Sequence, residues 1–133
     1  MSISDFPVLS ALRTKMQWHQ ERQSVLSENV ANSDTPNFRP RDLVAPKFNA
    51  AGLPTESMGT LPMMRTSAAH MTASGEADSF DVNKRVGFET RPAGNAVSLE
   101  EEMMKVSANQ MDYAAVSELY SKSLGLLKTA LDK

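Results

Sequence analysis

The chain has 133 residues with 14 Lys and Arg, 16 Asp and Glu, and a net charge of −2. These values fit one small domain and give no electrostatic basis for binding nucleic acid or an anionic membrane. The absence of cysteine excludes disulfides, zinc–thiolate sites and cysteine nucleophiles, and no apolar run approaches the roughly 20 residues that span a bilayer. The N-terminus lacks a basic start followed by an apolar stretch, so we expect no cleaved secretory signal.

Proline and glycine divide the chain into three parts. Residues 34–97 contain six of the seven prolines and five of the six glycines, whereas 1–33 has only Pro7 and 98–133 has only Gly125. Because these residues interrupt helices, we expect an N-terminal helical part over 1–33 and a C-terminal helical part over 98–133. The middle part, 34–97, should connect them as an irregular segment.

The N-terminal part carries a row of residues at the alternating three- and four-residue spacing of an amphipathic helix. Its members are Leu9, Leu12, Met16, His19, Gln23, Leu26 and Val30. Ser4 or Asp5 can cap the start and Pro7 suits the first turn, so the pattern predicts a helix that runs to about Val30–Ser33. We interpret the polar His19 as a residue that fixes the register of helix packing, rather than as a metal ligand.

Turn-forming residues are crowded where this helix pattern ends, between Asn29 and Phe38. Asn32 can adopt the left-handed conformation that often ends a helix. Pro36 and Asn37 suit the two central positions of a type II turn, in which the second residue needs a positive φ. The stretch therefore predicts a helix stop followed by a tight turn.

The middle part shows no sustained period, with one exception near residues 79–89. Phe80, Val82, Val86 and Phe88 alternate with other residues at the period of a β-strand. We therefore expect short β elements in an otherwise irregular connection.

The C-terminal part contains the clearest helical pattern, an unbroken 4-3 heptad row. Its members are Leu99, Met103, Val106, Gln110, Tyr113, Ser117, Tyr120, Leu124, Leu127 and Leu131. Ser98 and Glu101 form the pattern of a capping box, and the run 100–102 is acidic, as suits a helix N-terminus. We predict one helix over 99–131, about 50 Å long at ~1.5 Å per residue, with its first-turn carboxylates in solvent.

The C-terminal helix also has apolar residues outside that row. Met104, Ala108, Met111 and Ala115 form a second row at 4-3-4 spacing. A helix that is apolar on more than one face must be buried on more than one side. Because the middle part offers few bulky side chains to cover it, we infer that other protein chains do so, and that the terminal helices serve assembly.

The sequence offers no basis for catalysis. His19 and His70 are far apart, and no His-x-x-x-His spacing, calcium loop, phosphate loop or G-x-S-x-G motif occurs. We therefore predict a protein that is not an enzyme, with no metal, no cofactor and no small-molecule substrate.

The stretch between Asn29 and Phe38 resembles a signature shared by flagellar rod and hook proteins. In that signature, Asn-x-(small)-Asn-x-x-Thr-x-Gly-(aromatic) follows an N-terminal helix. The matching residues are Asn29, Ala31, Asn32, Thr35, Pro36 and Phe38. Asn37 departs from the usual Gly, but Asn is the next most tolerant residue at positive φ. The run GNAVSLEEEMMKVSANQMDYAAV is similar to the proximal-rod members of this family, and the resemblance covers about 20–43 and 94–131.

The resemblance implies a mainly α structural subunit of the bacterial flagellar basal body. Its N- and C-terminal helices would pack as an antiparallel coiled coil within a helical tube, around a middle part with short β elements. The proximal rod would join the MS ring and export gate to the rest of the rod and transmit torque. The implied partners are other rod subunits (itself, FlgC and FlgF), the MS-ring adaptor FliE and the export-gate proteins FliP and FliR. The implied location is periplasmic, reached through flagellar type III export without a cleaved signal peptide.

This interpretation assigns two sets of site residues. The motif set is Asn29, Ala31, Asn32, Thr35, Pro36, Asn37 and Phe38. The subunit-packing row is Leu9, Leu12, Met16, Leu26, Val30, Leu99, Met103, Val106, Tyr113, Tyr120, Leu124, Leu127 and Leu131. Two alternatives stay open: a different type III-secreted helical assembly protein, and a cytoplasmic coiled-coil export adaptor or chaperone.

Overall fold

The computed structural model describes residues 6–49, 80, 82–83, 92 and 94–131. Two long helices dominate it, α1 over Pro7–Ala31 and α2 over Leu99–Leu131. Two short strands, β1 over Asp42–Leu43 and β2 over Val82–Asn83, lie between them in the chain. Neither helix in this part of the chain combines the length and hydropathy needed to cross a membrane.

Helix α1 begins one residue after its N-cap, Phe6, and Pro7 occupies the first turn as expected. The two caps expected from the sequence, Ser4 and Asp5, lie outside the described residues. Phe6 makes no side-chain capping bond. Proline is tolerated in this turn because its missing N–H would have no partner within the helix.

Asn32 ends α1 in a different way from the one predicted. Its φ is −98° and its ψ 16°, so it is not left-handed and that prediction is wrong. The backbone N–H and the side-chain Nδ2 of Asn32 both donate to the carbonyl of Glu28, at 3.0 and 2.8 Å. Because this side chain helps to satisfy the end of the helix, no left-handed residue is needed there.

Helix α2 has the bounds that its heptad pattern predicts, and its first turn is acidic. The backbone N–H of Glu102 donates to the carbonyl of Ser98 at 3.0 Å, which starts the helical hydrogen bonding. The expectation that the first-turn carboxylates are all in solvent is wrong for Glu102, which is only 2% exposed. The side chain is buried because α1 provides it with a hydrogen-bond donor, described below.

The two helices pack against each other in antiparallel directions. Side-chain hydrogen bonds join Arg13 to Tyr120, His19 to Asn109 and Asn29 to Glu102, so positions later in α1 face positions earlier in α2. In the part of the chain that the structure describes, the buried apolar residues form a small core. Its buried members are Leu9, Trp18, Leu26, Leu43, Ala96, Val97 and Val116.

The face that α2 turns towards α1 differs by one residue from the predicted row. The buried residues of α2 are Glu102, Asn109 and Val116, each one position before a member of that row. The polar contacts to α1 account for the rotation, because they bring Glu102 and Asn109 into the interface. Within the isolated chain, the predicted row is thus only partly in the helix contact.

Burial divides the predicted subunit-packing row into three classes. Its buried members are Leu9 and Leu26. The half-buried members are Leu12, Met16, Val30, Val106, Tyr113, Tyr120, Leu124 and Leu127. The exposed members are Leu99, Met103 and Leu131. Whether these residues pack between subunits stays a prediction.

The strands form a minimal antiparallel pair in which Asp42 is opposite Asn83 and Leu43 is opposite Val82. This agrees with the expectation of short β elements, and Val82 belongs to the alternating pattern that predicted them. Two other members of that pattern, Val86 and Phe88, lie outside the described residues. The pair places the chain after the predicted motif beside the middle of α1.

Candidate assembly site

The predicted tight turn spans Thr35 to Phe38. The N–H of Phe38 donates to the carbonyl of Thr35 at 3.3 Å, and Asn37 has a φ of 60°. Pro36 and Asn37 therefore occupy the two central positions, with the positive φ expected at the second. Asparagine adopts this conformation more readily than other residues with a side chain. The turn is kept although glycine is absent.

The turn is connected to the end of α1 through Thr35. Its N–H donates to the carbonyl of Asn32 at 3.1 Å, and its Oγ1 donates to Asn32 Oδ1, also at 3.1 Å. Asn32 thus uses its amide nitrogen for the helix end and its amide oxygen for the turn. The other motif residues around it, Ala31 and Pro36, have exposed side chains.

Asn95, which the sequence analysis missed, holds the turn from the opposite side. Its Nδ2 donates to the carbonyls of Asn32 and Thr35 at 3.0 and 2.7 Å, and its Oδ1 accepts from the N–H of Val97 at 2.8 Å. The N–H of Ala96 also donates to the carbonyl of Phe38 at 3.1 Å. The segment before α2 therefore closes over the motif. Its sequence gives no local signal, because the partners of Asn95 are about 60 residues away.

Gly94 makes this close approach possible. It has a φ of 77°, and a Cβ added there would lie 2.3 Å from Oδ1 of Asn37. No real side chain tolerates such a contact without movement of its neighbour. Gly94 and Asn37 are therefore packed face to face, each in a backbone conformation that most residues avoid.

Asn29 is the motif residue that contacts the most distant parts of the chain. It is buried, and it exchanges two hydrogen bonds with the backbone of Arg41: Nδ2 donates to the carbonyl at 2.6 Å and Oδ1 accepts from the N–H at 3.0 Å. The same Nδ2 donates to Oε2 of Glu102 on α2 at 2.9 Å. A single side chain thus joins α1, the chain after the turn and α2.

Glu102 is the buried charge of this contact and has a second partner, Lys105. The ammonium of Lys105 lies 2.8 Å from Oε1 of Glu102 and 2.8 Å from Oε1 of Glu101. Burial lowers the pKa of Lys105, but the hydrogen bonds and charges of these two carboxylates raise it by more, so the net pKa is above its usual value. Both oxygens of Glu102 are therefore used, as a buried carboxylate requires.

A second polar contact between the helices lies about two turns along α2. Oδ1 of Asn109 is 2.7 Å from Nδ1 of His19, while its Nδ2 donates to the backbone carbonyl of His19 at 2.9 Å and to Oε1 of Gln23 at 3.0 Å. Because an amide oxygen only accepts, we assign the ring proton to Nδ1. His19 thus lies in the helix interface, as its interpretation as a register residue required.

The chain after the turn is fastened to α1 by Arg22 and Trp18. The guanidinium of Arg22 pairs with both oxygens of Asp42 at 2.8 Å, and Nε1 of Trp18 donates to the carbonyl of Val44 at 2.8 Å. Burial alone raises the pKa of Asp42, but the hydrogen bonds and charge of Arg22 lower it by more, so the net pKa is below its usual value. This bidentate pair fixes β1 against α1.

The side of α2 that faces away from α1 is apolar and exposed. We call its residues the outer row: Met104, Met111, Leu119 and Leu126. Met111 and Leu126 are 70% and 73% exposed, although both are large apolar side chains. Exposed apolar surface of this kind is typical of faces that contact other proteins.

The contacts described above hold separate segments of the chain together. Over the described residues, no group of three or more His, Cys, Asp or Glu side chains is placed to hold a metal ion. The side-chain amides of Asn29 and Asn109 bond to neighbouring side chains or to backbone, whereas Nε2 of His19 is buried and finds no hydrogen-bond partner among the described residues. What the site can do is hold two helices and a tight turn in one fixed arrangement, with apolar surface exposed beside them.

Comparison with known proteins places these features in a family. A family model described as "Flagella basal body rod protein" matches residues 9–39, which include most of α1 and the turn. "Flagellar basal body rod protein FlgB" of Bacillus subtilis is 27% identical over 110 residues, covering 83% of this chain and 81% of its own. The FlgB of Agrobacterium fabrum is 31% identical over 102 residues, covering 73% and 72%. That of Borreliella burgdorferi is 30% identical over 113 residues, covering 80% and 84%.

Proposed function

Because the chain belongs to the FlgB family of flagellar basal body rod proteins, we propose that it builds the proximal rod, which joins the MS ring and export gate to the rest of the rod. The chain is a structural, non-enzymatic subunit of the flagellar basal body rod, and it associates with other basal body components. Its position at the base of the rod and its role in transmitting torque are part of the proposal.

The outer row on α2 is the observation that carries this proposal. Four large apolar side chains are exposed on the side of α2 that α1 does not cover. Burying a side chain of this size contributes about 1.5–3 kcal/mol relative to leaving it in water. A neighbouring subunit that covers the outer row would therefore gain several such contributions, which is what a mechanically loaded assembly needs.

We propose that α1 and α2 act as terminal assembly helices, within 1–33 and 98–133, and that they pack as an antiparallel coiled coil inside a helical tube. The polar contacts at Asn29–Glu102 and His19–Asn109 fall seven residues apart on α2, which is one heptad. The predicted subunit-packing row supports contacts with neighbours, because Leu99, Met103 and Leu131 remain exposed in the single chain.

The motif residues serve this assembly by fixing the exit of the chain from α1. Asn29, Asn32, Thr35 and Phe38 bond to the segment before α2 or to the chain after the turn. Ala31, Pro36 and Asn37 are then held in exposed positions at one end of the helix pair. We propose that this rigid end is presented to an adjacent rod subunit.

The proposed partners are further copies of the chain, the rod subunits FlgC and FlgF, the MS-ring adaptor FliE and the export-gate proteins FliP and FliR. The proposed location is the periplasmic part of the basal body, reached through flagellar type III export. The family relationship supports a place in the basal body, and the individual partners are those that the resemblance implies. Nucleic acid, membrane insertion and small-molecule substrates have no part in the proposal.

Purified hook–basal bodies provide the decisive test. Cells that express an epitope-tagged copy in place of the native gene should yield basal bodies that contain the chain, with immunogold label at the MS-ring end of the rod. A mutant lacking the export gate should keep the chain in the cytoplasm, and a cytoplasmic marker protein is the control. Basal bodies without the chain, together with a soluble cytoplasmic pool in wild-type cells, would favour the export adaptor or chaperone instead.

A further inference from the structure

The contact between α1 and α2 is more polar than a stable helix pair requires. Among the described residues, the four largest fully buried side chains are His19, Asn29, Asn109 and Leu26, and three of these are polar. Glu102 is buried as well. We call the set of His19, Asn29, Glu102 and Asn109 the polar ladder. Apolar residues of similar size would stabilise a helix pair at least as well, so the polar ladder needs another explanation.

Each member of the polar ladder on α2 has a partner that only α1 supplies. Glu102 accepts from the amide of Asn29 at 2.9 Å. Asn109 bonds to the ring and the backbone of His19 and to Gln23 at 2.7–3.0 Å. A buried polar group that loses its partner is strongly unfavourable. These contacts therefore favour the pairing of α2 with α1, and they favour a single register of the two helices.

The sequence of α2 also favours a competing pairing, between two copies of α2. The unbroken heptad row from Leu99 to Leu131 has apolar or aromatic residues at eight of its ten positions, and it lies beside the polar ladder. Rows of this kind drive identical helices to associate. Three members of this row, Leu99, Met103 and Leu131, are exposed in the single chain, so part of the row is available for such association.

We propose that the polar ladder selects the chain's own α1 as the partner of α2 and excludes a second copy of α2. In a pair of α2 helices, Glu102 would lose the amide of Asn29, and Asn29 would lose the carboxylate that it bonds to. Asn109 would lose both of its contacts with His19. The ladder thus determines specificity, which goes beyond the proposed function and holds for the chain in solution.

Replacing both α2 members by leucine tests this proposal in the full-length chain. The variant Glu102→Leu with Asn109→Leu should self-associate with a dissociation constant at least about tenfold lower than that of the parent, measured by sedimentation equilibrium. The matched control is Ser24→Leu with Glu28→Leu, which also adds two leucines in place of polar residues but at exposed positions on α1, away from both apolar rows of α2. The control should associate no more than the parent. Glu102→Leu alone should give an intermediate effect.

The register can be followed separately, because the chain has no cysteine. Nitroxide labels on Gln17→Cys and Ser121→Cys, two exposed positions on α1 and α2, should give one narrow distance distribution in the parent and the control. The double leucine variant should broaden it while helicity by circular dichroism is retained or increased. A monomeric double variant with the parent's distance distribution would overturn the proposal. Loss of helicity in the double leucine variant would also overturn it. So would a parent chain that self-associates as strongly as the variant.

Discussion

The two faces of α2 reverse the usual arrangement of a helix on a protein surface. The face against α1 buries a carboxylate and an amide, Glu102 and Asn109, at 2% and 1% exposure. The opposite face exposes large apolar side chains, including Met111 and Leu126. In most surface helices the apolar side is inside and the polar side is in water. Val116 is also buried and the Glu118–Lys122 pair is in solvent, so the reversal is partial. The single chain gains specificity from the buried polar groups of α2 and leaves much of the apolar surface of α2 to its neighbours.

The largest expected effect comes from charging the outer face. Met111→Asp with Leu119→Asp should abolish swimming, because burying two carboxylates in a subunit contact without partners opposes assembly. The free energy of unfolding of the isolated chain should fall by no more than about 1 kcal/mol, since both side chains are exposed and Asp is only a somewhat weaker helix former than Met or Leu. Motility in soft agar and chemical denaturation measure the two effects.

The matched control for this change keeps the outer face apolar. Met111→Leu with Leu119→Met should leave swimming near the wild-type level, because volume and hydropathy are nearly unchanged. Swimming by the aspartate variant would remove the outer row from the assembly surface.

The next effect in size is expected on the inner face. Asn109→Ala should destabilise the chain by about 2–3 kcal/mol, because it leaves the ring nitrogen and the carbonyl of His19 without their partner. Met111→Ala, two positions along on the outer face, should change stability by no more than about 0.5 kcal/mol. Urea denaturation followed by circular dichroism compares them. Equal losses of stability in Asn109→Ala and Met111→Ala would contradict the contrast between the two faces of α2.

A smaller effect on the pH dependence of stability is expected from the ion pair between Arg22 and Asp42, which joins α1 to β1. Because Arg22 holds the pKa of Asp42 below its usual value, this pair stabilises the folded chain fully above about pH 4. The contribution, about 1 kcal/mol for a bidentate and largely covered pair, is lost as pH falls through the lowered pKa. Asp42→Asn should abolish this part of the pH dependence in denaturation between about pH 5 and pH 2.

The exposed ion pair between Glu118 and Lys122 on α2 serves as the control for that prediction. Glu118→Gln should leave the acid dependence close to that of the wild type, because exposed pairs contribute little. An unchanged profile in Asp42→Asn would show that the Arg22–Asp42 pair is not the source.

The smallest effect is expected at Gly125, and it should be stabilising. A Cβ added there meets nothing within 4 Å, and the residue lies inside α2. Gly125→Ala should therefore raise the free energy of unfolding by about 0.5–1 kcal/mol through helix propensity. Gly94→Ala should lower it, because of the positive φ and the contact with Asn37. Thermal denaturation measures both variants. A rise in stability in Gly94→Ala as well as in Gly125→Ala would contradict the crowding at Gly94.

Structural features that depend only on residues close together in the chain could be predicted from local sequence patterns. The bounds of α2 follow from its heptad row, and the turn at Pro36 and Asn37 follows from the φ preferences of those residues. The end of α1 was predicted within a few residues, but its mechanism was not, because Asn32 uses its side chain where a left-handed backbone was expected.

Contacts over long distances in the chain could not be predicted in this way. Asn95 bonds to carbonyls 60 and 63 residues away, and Glu102 to an amide 73 residues away. A glutamate in the first turn of a helix is usually in solvent, because water hydrates its charge. The burial of Glu102 is favourable because the amide of Asn29 is placed to donate to its carboxylate. The same contact explains why the buried row on α2 lies one residue from the predicted one.

The close approach of Gly94 to Asn37 has a consequence for how this sequence can change over time. With asparagine at 37, any side chain at 94 meets its amide oxygen as well as the cost of a positive φ. Glycine at 37 would remove the first obstacle and leave only the second, which asparagine or aspartate at 94 can tolerate. The two positions are therefore epistatic, and the order of substitution matters: a lineage that replaces Asn37 first can explore position 94, whereas one that starts at Gly94 passes through a less stable intermediate.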